Sequence, residues 1–274
     1  MKKPDRKWKS GWAVFAALMA ISLGVASPAI AISWGEPDGN LHPNVGAVVI
    51  DDPEYGLFQL CSGTLIDSRV LLTAAHCTAV LETLQSDGVP IYVNFAEDAL
   101  NVGTLLPVAE VKTHPRYNIT QSNPRDVGAL VLAAPVSITP ATLPEKGFLD
   151  KLKKQGKFRQ GKEEADFTVV GYGGTLSWPP PYIEYDDSRR YAESEYQTLL
   201  KSWLTLSQNQ ATGDGGTCYG DSGGPAFWTD PDEGEILVGI TSWGDSPCVA
   251  IGFCYRVDTA DTLDFIQDVL DDLP

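Results

Sequence analysis

The chain has 274 residues, 43% of them hydrophobic, and carries 20 basic against 36 acidic side chains for a formal charge of -16. That length suits one large domain or two small ones, with enough apolar residues for a packed core. The acidic balance repels phosphate, which argues against a nucleic-acid partner.

The N-terminus reads as a secretory signal peptide. Lys2, Lys3, Arg6, Lys7 and Lys9 face one acid, Asp5, before an uncharged apolar run over residues 11–26, and Ala29-Ile30-Ala31 supplies a small-x-small cleavage site. The run is short for a membrane span, Pro28 ends any helix there, and no Cys follows it for a lipid anchor. The expected product is secreted or periplasmic, begins at Ile32, and has no stable membrane association once the leader is removed. Five cysteines lie beyond the leader, at 61, 77, 218, 248 and 254. In an oxidising compartment these predict two disulfides and one leftover thiol, in a connectivity that counting leaves open.

From residue 45 onward, short Val/Ile/Leu-rich runs recur between Gly, Pro, Asn and Asp clusters, at 45–50, 63–65, 70–72, 90–95, 129–132, 167–171 and 236–242. This spacing predicts an all-β barrel or sandwich. The charged stretch 145–164 reads as a connection between two halves. Residues 178–195, opening on Trp178-Pro179-Pro180-Pro181, read as a long surface loop. Helical periodicity is clear only at the end, where Leu263, Ile266, Val269 and Leu270 share a face behind Asp258 or Thr259 as N-cap.

Three strings carry chemistry: Leu72-Thr73-Ala74-Ala75-His76-Cys77, Arg125-Asp126-Val127-Gly128-Ala129-Leu130, and Cys218-Tyr219-Gly220-Asp221-Ser222-Gly223-Gly224-Pro225. A serine hydroxyl is a weak nucleophile until an imidazole takes its proton, and a buried carboxylate holds that imidazole in the right tautomer. The developing oxyanion needs fixed donors. The glycines around Ser222 allow a turn that aims the Gly220 and Ser222 N–H groups at one oxygen. Gly220-x-Ser222-x-Gly224 is also the elbow of lipases and esterases, but that class places its histidine after the serine. Here all three histidines, 42, 76 and 114, precede Ser222. His42 and His114 lack a partner motif, and His114 reads as part of a surface turn. No H-E-x-x-H or Cys/His cluster suggests zinc; no metal and no cofactor are expected.

Together the three strings resemble the trypsin-like, chymotrypsin-fold serine peptidases, over essentially the whole chain from Ile32 to the C-terminal helix. The resemblance implies an all-β fold of two six-stranded antiparallel β-barrels with a C-terminal α-helix: an N-terminal barrel over about 32–140, a C-terminal barrel over about 165–257 and the helix over about 259–272. It implies a serine endopeptidase with His76, Asp126 and Ser222 as catalytic triad, acting as a monomer on protein or peptide substrates. It pairs Cys61 with Cys77 and Cys218 with Cys248, leaving Cys254 alone. It places Gly216, Thr217, Tyr219, Ser242, Trp243, Gly244 and Phe253 around the substrate side chain. Gly216 stands where enzymes cutting after Arg or Lys have Asp, so small to medium apolar residues are expected before the cut. It also implies that a new N-terminal ammonium on Ile32 pairs with Asp221. Two departures stand out. The mature start reads Ile32-Ser33-Trp34-Gly35 in place of Ile/Val-Val-Gly-Gly, and the 178–195 stretch has no counterpart. A non-catalytic relative that uses the same scaffold for binding is the alternative.

Overall fold

The first half of the chain alternates strands with one helix: β1 (Glu36–Pro37), β2 (Val45–Asp52), β3 (Gly56–Asp67), β4 (Val70–Thr73), α1 (Ala75–Ser86), β5 (Ile91–Asn94), β6 (Leu106–Thr113) and β7 (Gly128–Leu132). The computed structural model describes residues 32–158, 167–177 and 182–273. Residues 1–31, which hold the expected leader and its Ala29-x-Ala31 site, residues 159–166 of the connection and the Pro179-Pro180-Pro181 run lie outside the described residues. Strands β2 to β7 close into an antiparallel barrel in the order β2-β3-β4-β7-β6-β5. Apolar residues pack on both faces of its wall: Val45, Val49, Leu65, Leu71, Leu72, Val93 and Leu130 are all fully or almost fully buried.

Helix α1 was not legible as a helix. Its buried residues are Ala75, Cys77, Thr78 and Leu81, three of them small or polar, so hydrophobic periodicity is faint. Close packing sets their size. A Cβ on Gly128, at the head of β7, would sit 2.4 Å from Thr78 Oγ1, so glycine lets helix and strand meet there.

The connection is also partly helical. Helix α2 (Phe148–Lys154) buries Leu149 and Leu152, three residues apart, and the Leu149 N–H donates to Asp258 Oδ2 at 2.9 Å.

The second half adds β8 (Phe167–Gly171), β9 (Thr175–Ser177), β10 (Tyr182–Glu184), β11 (Arg190–Ser194), β12 (Tyr196–Leu199), β13 (Trp203–Ser207), β14 (Pro225–Asp230), β15 (Gly234–Gly244) and β16 (Ile251–Arg256). They order as β1-β11-β8-β14-β15-β16-β13-β12. Strands β11 and β12 lie far apart in that order, yet only Glu195 separates them in the chain. One bent strand therefore pairs with β8 through its first half and with β13 through its second, and the six-stranded strip closes on itself. At the bend, Glu195 O accepts from Ser207 N at 2.9 Å and Glu195 N donates to Asp214 Oδ1 at 3.1 Å.

Much of the stretch read as a surface loop is thus strand. Residues 182–184 pair with β9, and Arg190, Ala192 and Ser194 of β11 face inward. Charged residues masked the alternation. The final helix, α3 (Ala260–Asp271), is capped by Thr259, whose side chain accepts from Thr262 N. It buries Thr262, Phe265, Ile266 and Val269; Phe265, not Leu263, completes the packed face.

The two barrels are joined by a buried polar cluster. Arg189 has a fully buried side chain and pairs with Asp38 at 2.9 Å. It also donates to the Val45 and Phe95 carbonyls and the Tyr172 hydroxyl. Tyr172 in turn donates to Ala96 O at 2.7 Å. Each group in this chain satisfies another, which is what makes burying a guanidinium tolerable.

Candidate active site

His76 is the second residue of α1, placed by the turn that follows β4. Asp126 lies two residues before β7, which pairs with β4, so strand pairing brings the two together. Asp126 Oδ1 accepts from the His76 backbone N–H at 2.9 Å, and Oδ2 faces His76 Nδ1 at 2.9 Å. The carboxylate is 2% exposed. Burial raises its pKa, but the hydrogen bond and charge of His76 and a hydrogen bond from Ser242 Oγ outweigh this and hold it below the ordinary carboxylate value. With Nδ1–H directed at the carboxylate, Nε2 keeps the lone pair that a general base needs.

Ser222 belongs to the second half of the chain, in the turn before β14. Its carbonyl accepts from Ser62 N at 2.8 Å and lies 3.7 Å from Sγ of Cys77, the neighbour of His76. Among the described residues, Ser222 Oγ has no hydrogen-bond partner, His76 included. The two share one cleft. A cavity of about 510 Å³ lined by His76, Asp126, Pro124, Trp203, Ser242 and Trp243 adjoins one of about 220 Å³ lined by Ser222, Thr217, Tyr219, Ser242, Trp243 and Gly244.

The turn before Ser222 aims its donors by pinning the carbonyls behind them. In a trans peptide the N–H points opposite to the C=O. Tyr219 O accepts from Gly174 N at 2.7 Å and Asp221 O from Gly224 N at 2.9 Å, so the N–H groups of Gly220 and Ser222 point the other way. Neither has a protein acceptor among the described residues. Gly220 has φ +97°, a left-handed conformation that favours glycine. Its carbonyl is braced by Gln59 Nε2 at 2.8 Å and Ser62 Oγ at 3.1 Å. These braces come from β3 and have no local sequence signal.

Asp221 is fully buried, and burial pushes its carboxyl up to about 7 despite N–H donors at Cys218 and Gly173. No ion pair joins it to Ile32 or to any other described residue. Ile32 is itself fully buried.

The structure joins Cys61 to Cys77 and Cys218 to Cys248, with Cys254 free and buried. Cys61 and Cys77 lie near His76, but both sulfurs are consumed by the disulfide and offer no thiolate to a metal.

Of the residues expected around the substrate side chain, Thr217, Tyr219, Ser242, Trp243 and Gly244 line the smaller cavity. Phe253 does not. Successive strand residues face opposite ways, so with Gly252 toward the pocket the Phe253 ring stacks on Trp243, centroids 3.6 Å apart, against Trp203. Gly216 lies deeper, against Gln208. His114 opens a surface turn after β6, its carbonyl accepting from Tyr117 N at 2.8 Å with Pro115 and Arg116 exposed, but its own side chain points inward. It is 4% exposed, packs on Phe265, and accepts from Arg116 N through Nδ1. His42 is buried between Asp38, four residues before it, and Glu235 of the second barrel.

Two antiparallel barrels with this histidine, aspartate and serine between them define a serine-type endopeptidase. The Trypsin family model matches residues 36–264, and the chain belongs to that family. It is 29% identical to a trypsin of Phaedon cochleariae, over 84% of this chain and 90% of the relative. It is 29% identical to a trypsin of Saccharopolyspora erythraea, over 77% and 86% of the two chains. With a trypsin-like protease of Streptomyces glaucescens it shares 30% identity, over 68% and 65%.

Proposed function

We propose that the protein is exported and hydrolyses peptide bonds through an acyl-enzyme on Ser222. His76 takes the Ser222 proton as Oγ attacks the scissile carbonyl, then delivers it to the leaving amine. Asp126 orients the ring and stabilises its charged form. The Gly220 and Ser222 N–H groups receive the oxyanion. Water, deprotonated by the same histidine, releases the acyl group. Cleavage after Ala31 would create an ammonium on Ile32 as a partner for the buried Asp221 carboxylate, so that export and activation become one event. The observation that carries the reading is the two-point hold of Asp126 on His76, through both backbone and ring.

The test is labelling with a fluorophosphonate. We expect a single adduct on the peptide containing Ser222, absent in Ser222→Ala and His76→Ala proteins. Combining the Ser222, His76 and Asp126 substitutions should cost little beyond the worst single one. A folded wild-type protein that resists the reagent would favour a binding protein on the same scaffold. N-terminal sequencing of exported protein should begin at Ile32; an active product beginning elsewhere would refute the activation route.

A further inference from the structure

Gln208 is the first residue after β13 and is 1% exposed, a rare degree of burial for an amide. Its backbone N–H donates to Ala250 O. Nε2 donates to the Thr217 carbonyl at 2.8 Å and lies 3.2 Å from Thr217 Oγ1. A carbonyl only accepts, so the amide orientation is fixed with nitrogen toward Thr217. Oε1 is left buried with no partner among the described residues.

Its position is defined by three glycines, one from each segment walling the pocket. A Cβ on Gly216 would fall 2.2 Å from Gln208 Cγ; one on Gly252 would lie 3.0 Å from Nε2; one on Gly244 would lie 3.7 Å from Oε1. The space those glycines leave open is therefore occupied by the Gln208 side chain. What remains above it, bounded by Thr217, Ser222, Ser242 and Gly244, belongs to the cavity of about 220 Å³.

We infer that Gln208 is the floor of the substrate pocket and restricts the residue before the cleaved bond to Gly, Ala, Ser or a side chain of similar size. This rests on the proposed peptidase reading and narrows it. A longer side chain must displace an amide whose nitrogen is bonded to Thr217, and stranding that buried nitrogen and the Thr217 carbonyl is costly. The two acids flanking these segments, Asp214 and Asp245, already serve the protein's own donors. The Asp214 oxygens are engaged by Glu195 N and Thr212 Oγ1. The Asp245 oxygens are engaged by the N–H groups of Val249, Ala250 and Ile251.

Peptide substrates differing only at that residue (Ala, Leu, Phe, Lys) test the inference, in wild-type protein and in Gln208→Ala and Gln208→Asn variants. Wild type should favour Ala over Phe by about 100-fold or more in kcat/KM. Gln208→Ala should raise the Phe-to-Ala ratio at least about tenfold, the scale of discrimination set by methylene-sized pocket changes, with Gln208→Asn between. Ratios within each protein cancel any general loss of activity. Should Gln208→Ala not fold, the wild-type series and Gln208→Asn decide. Trp243 fluorescence, titrated on Ser222→Ala protein with peptides ending in Ala or Phe, reads the pocket without catalysis. A wild-type enzyme that labels at Ser222 but prefers Phe, Leu or Lys, or variants with unchanged ratios, overturns the floor assignment. Absent labelling with tighter binding of the Ala-ended peptide would instead overturn the peptidase reading and uphold the floor.

Discussion

Ser242 Oγ donates to the same Asp126 oxygen that faces Nδ1 of His76. The carboxylate is thus held from both barrels, since His76 belongs to the first and Ser242 to β15 of the second. A hydrogen bond to a charged group contributes about 1.5–3 kcal/mol. Ser242→Ala should therefore lower kcat by roughly 10- to 100-fold. Asp126→Asn, which offers Nδ1 the wrong partner, should cost about 10,000-fold, as in the general Ser-His-Asp template. Steady-state kinetics on a small ester substrate measures both, and an unimpaired Ser242→Ala enzyme would remove Ser242 from the arrangement.

Asp221 gives a pH signature. Its folded carboxyl sits near 7 against about 3.9 in an unfolded chain, so the folded state binds the proton more tightly between those values. Stability from this group is present at low pH and lost as pH rises toward 7. A protein still carrying leader residues should show that loss in its melting temperature. One that begins at Ile32 should show it weakened, because the ammonium favours the carboxylate. Identical profiles for the two would count against the proposed Ile32–Asp221 pairing.

The Asp38–Arg189 pair predicts a stability effect away from the cleft. Both side chains are fully buried, so Asp38→Asn strands a guanidinium and should cost about 3–5 kcal/mol in urea unfolding. His42 reports on the same cluster. Burial alone would lower its pKa, but hydrogen bonds and charge from Asp38 and Glu235 push it up to about 9. Its contribution is complete below about 6.5 and disappears as pH climbs through about 9. The melting-temperature gap between wild type and His42→Asn should close over that window; a gap that stays constant would mean His42 is held neutral.

Cys254 is 1% exposed, and burial pushes its thiol up to about 12. Thiolate is the reactive form. Iodoacetamide should leave the native protein unmodified and add one group on unfolding without reductant. By contrast, replacing both Cys61 and Cys77, which are 16 residues apart, should cost about 3 kcal/mol. Rapid native labelling would contradict the burial of Cys254.

What the sequence revealed and what it hid divide along physical lines. His76, Asp126 and Ser222 were legible through three short strings; around Ser222 the glycines Gly220 and Gly223 take positive φ, a local demand that shows in the sequence. Strands such as β2 and β7 were legible as apolar runs. Helix α1 was hidden because its packed face is mostly Ala, Cys and Thr, with Leu81 its one large apolar residue. Strand β11 was hidden because an inward-facing arginine, Arg190, disguised its alternation. Gln59, Ser62 and Gln208 were invisible for a different reason. Their partners are spread over several segments (Gly220 for the first two; Gly216, Gly244 and Gly252 for the third), and no short motif contains every side of such a contact. Ser242 was placed by resemblance at the substrate, but its bond to Asp126 emerges only when the barrels meet.

The bend at Glu195 has a consequence for association with other chains. Because one strand supplies both margins of the second barrel, that sheet is a continuous belt, and foreign chains find few unsatisfied margins on which to add and aggregate. The belt depends on a one-residue joint. Removing Glu195 would shift β12 by one position relative to β11 and turn Tyr196 and Leu199, now buried, toward the opposite face. The insertion-tolerant parts of this molecule should accordingly lie at its exposed turns, and the 194–196 joint should accept neither a longer nor a shorter chain.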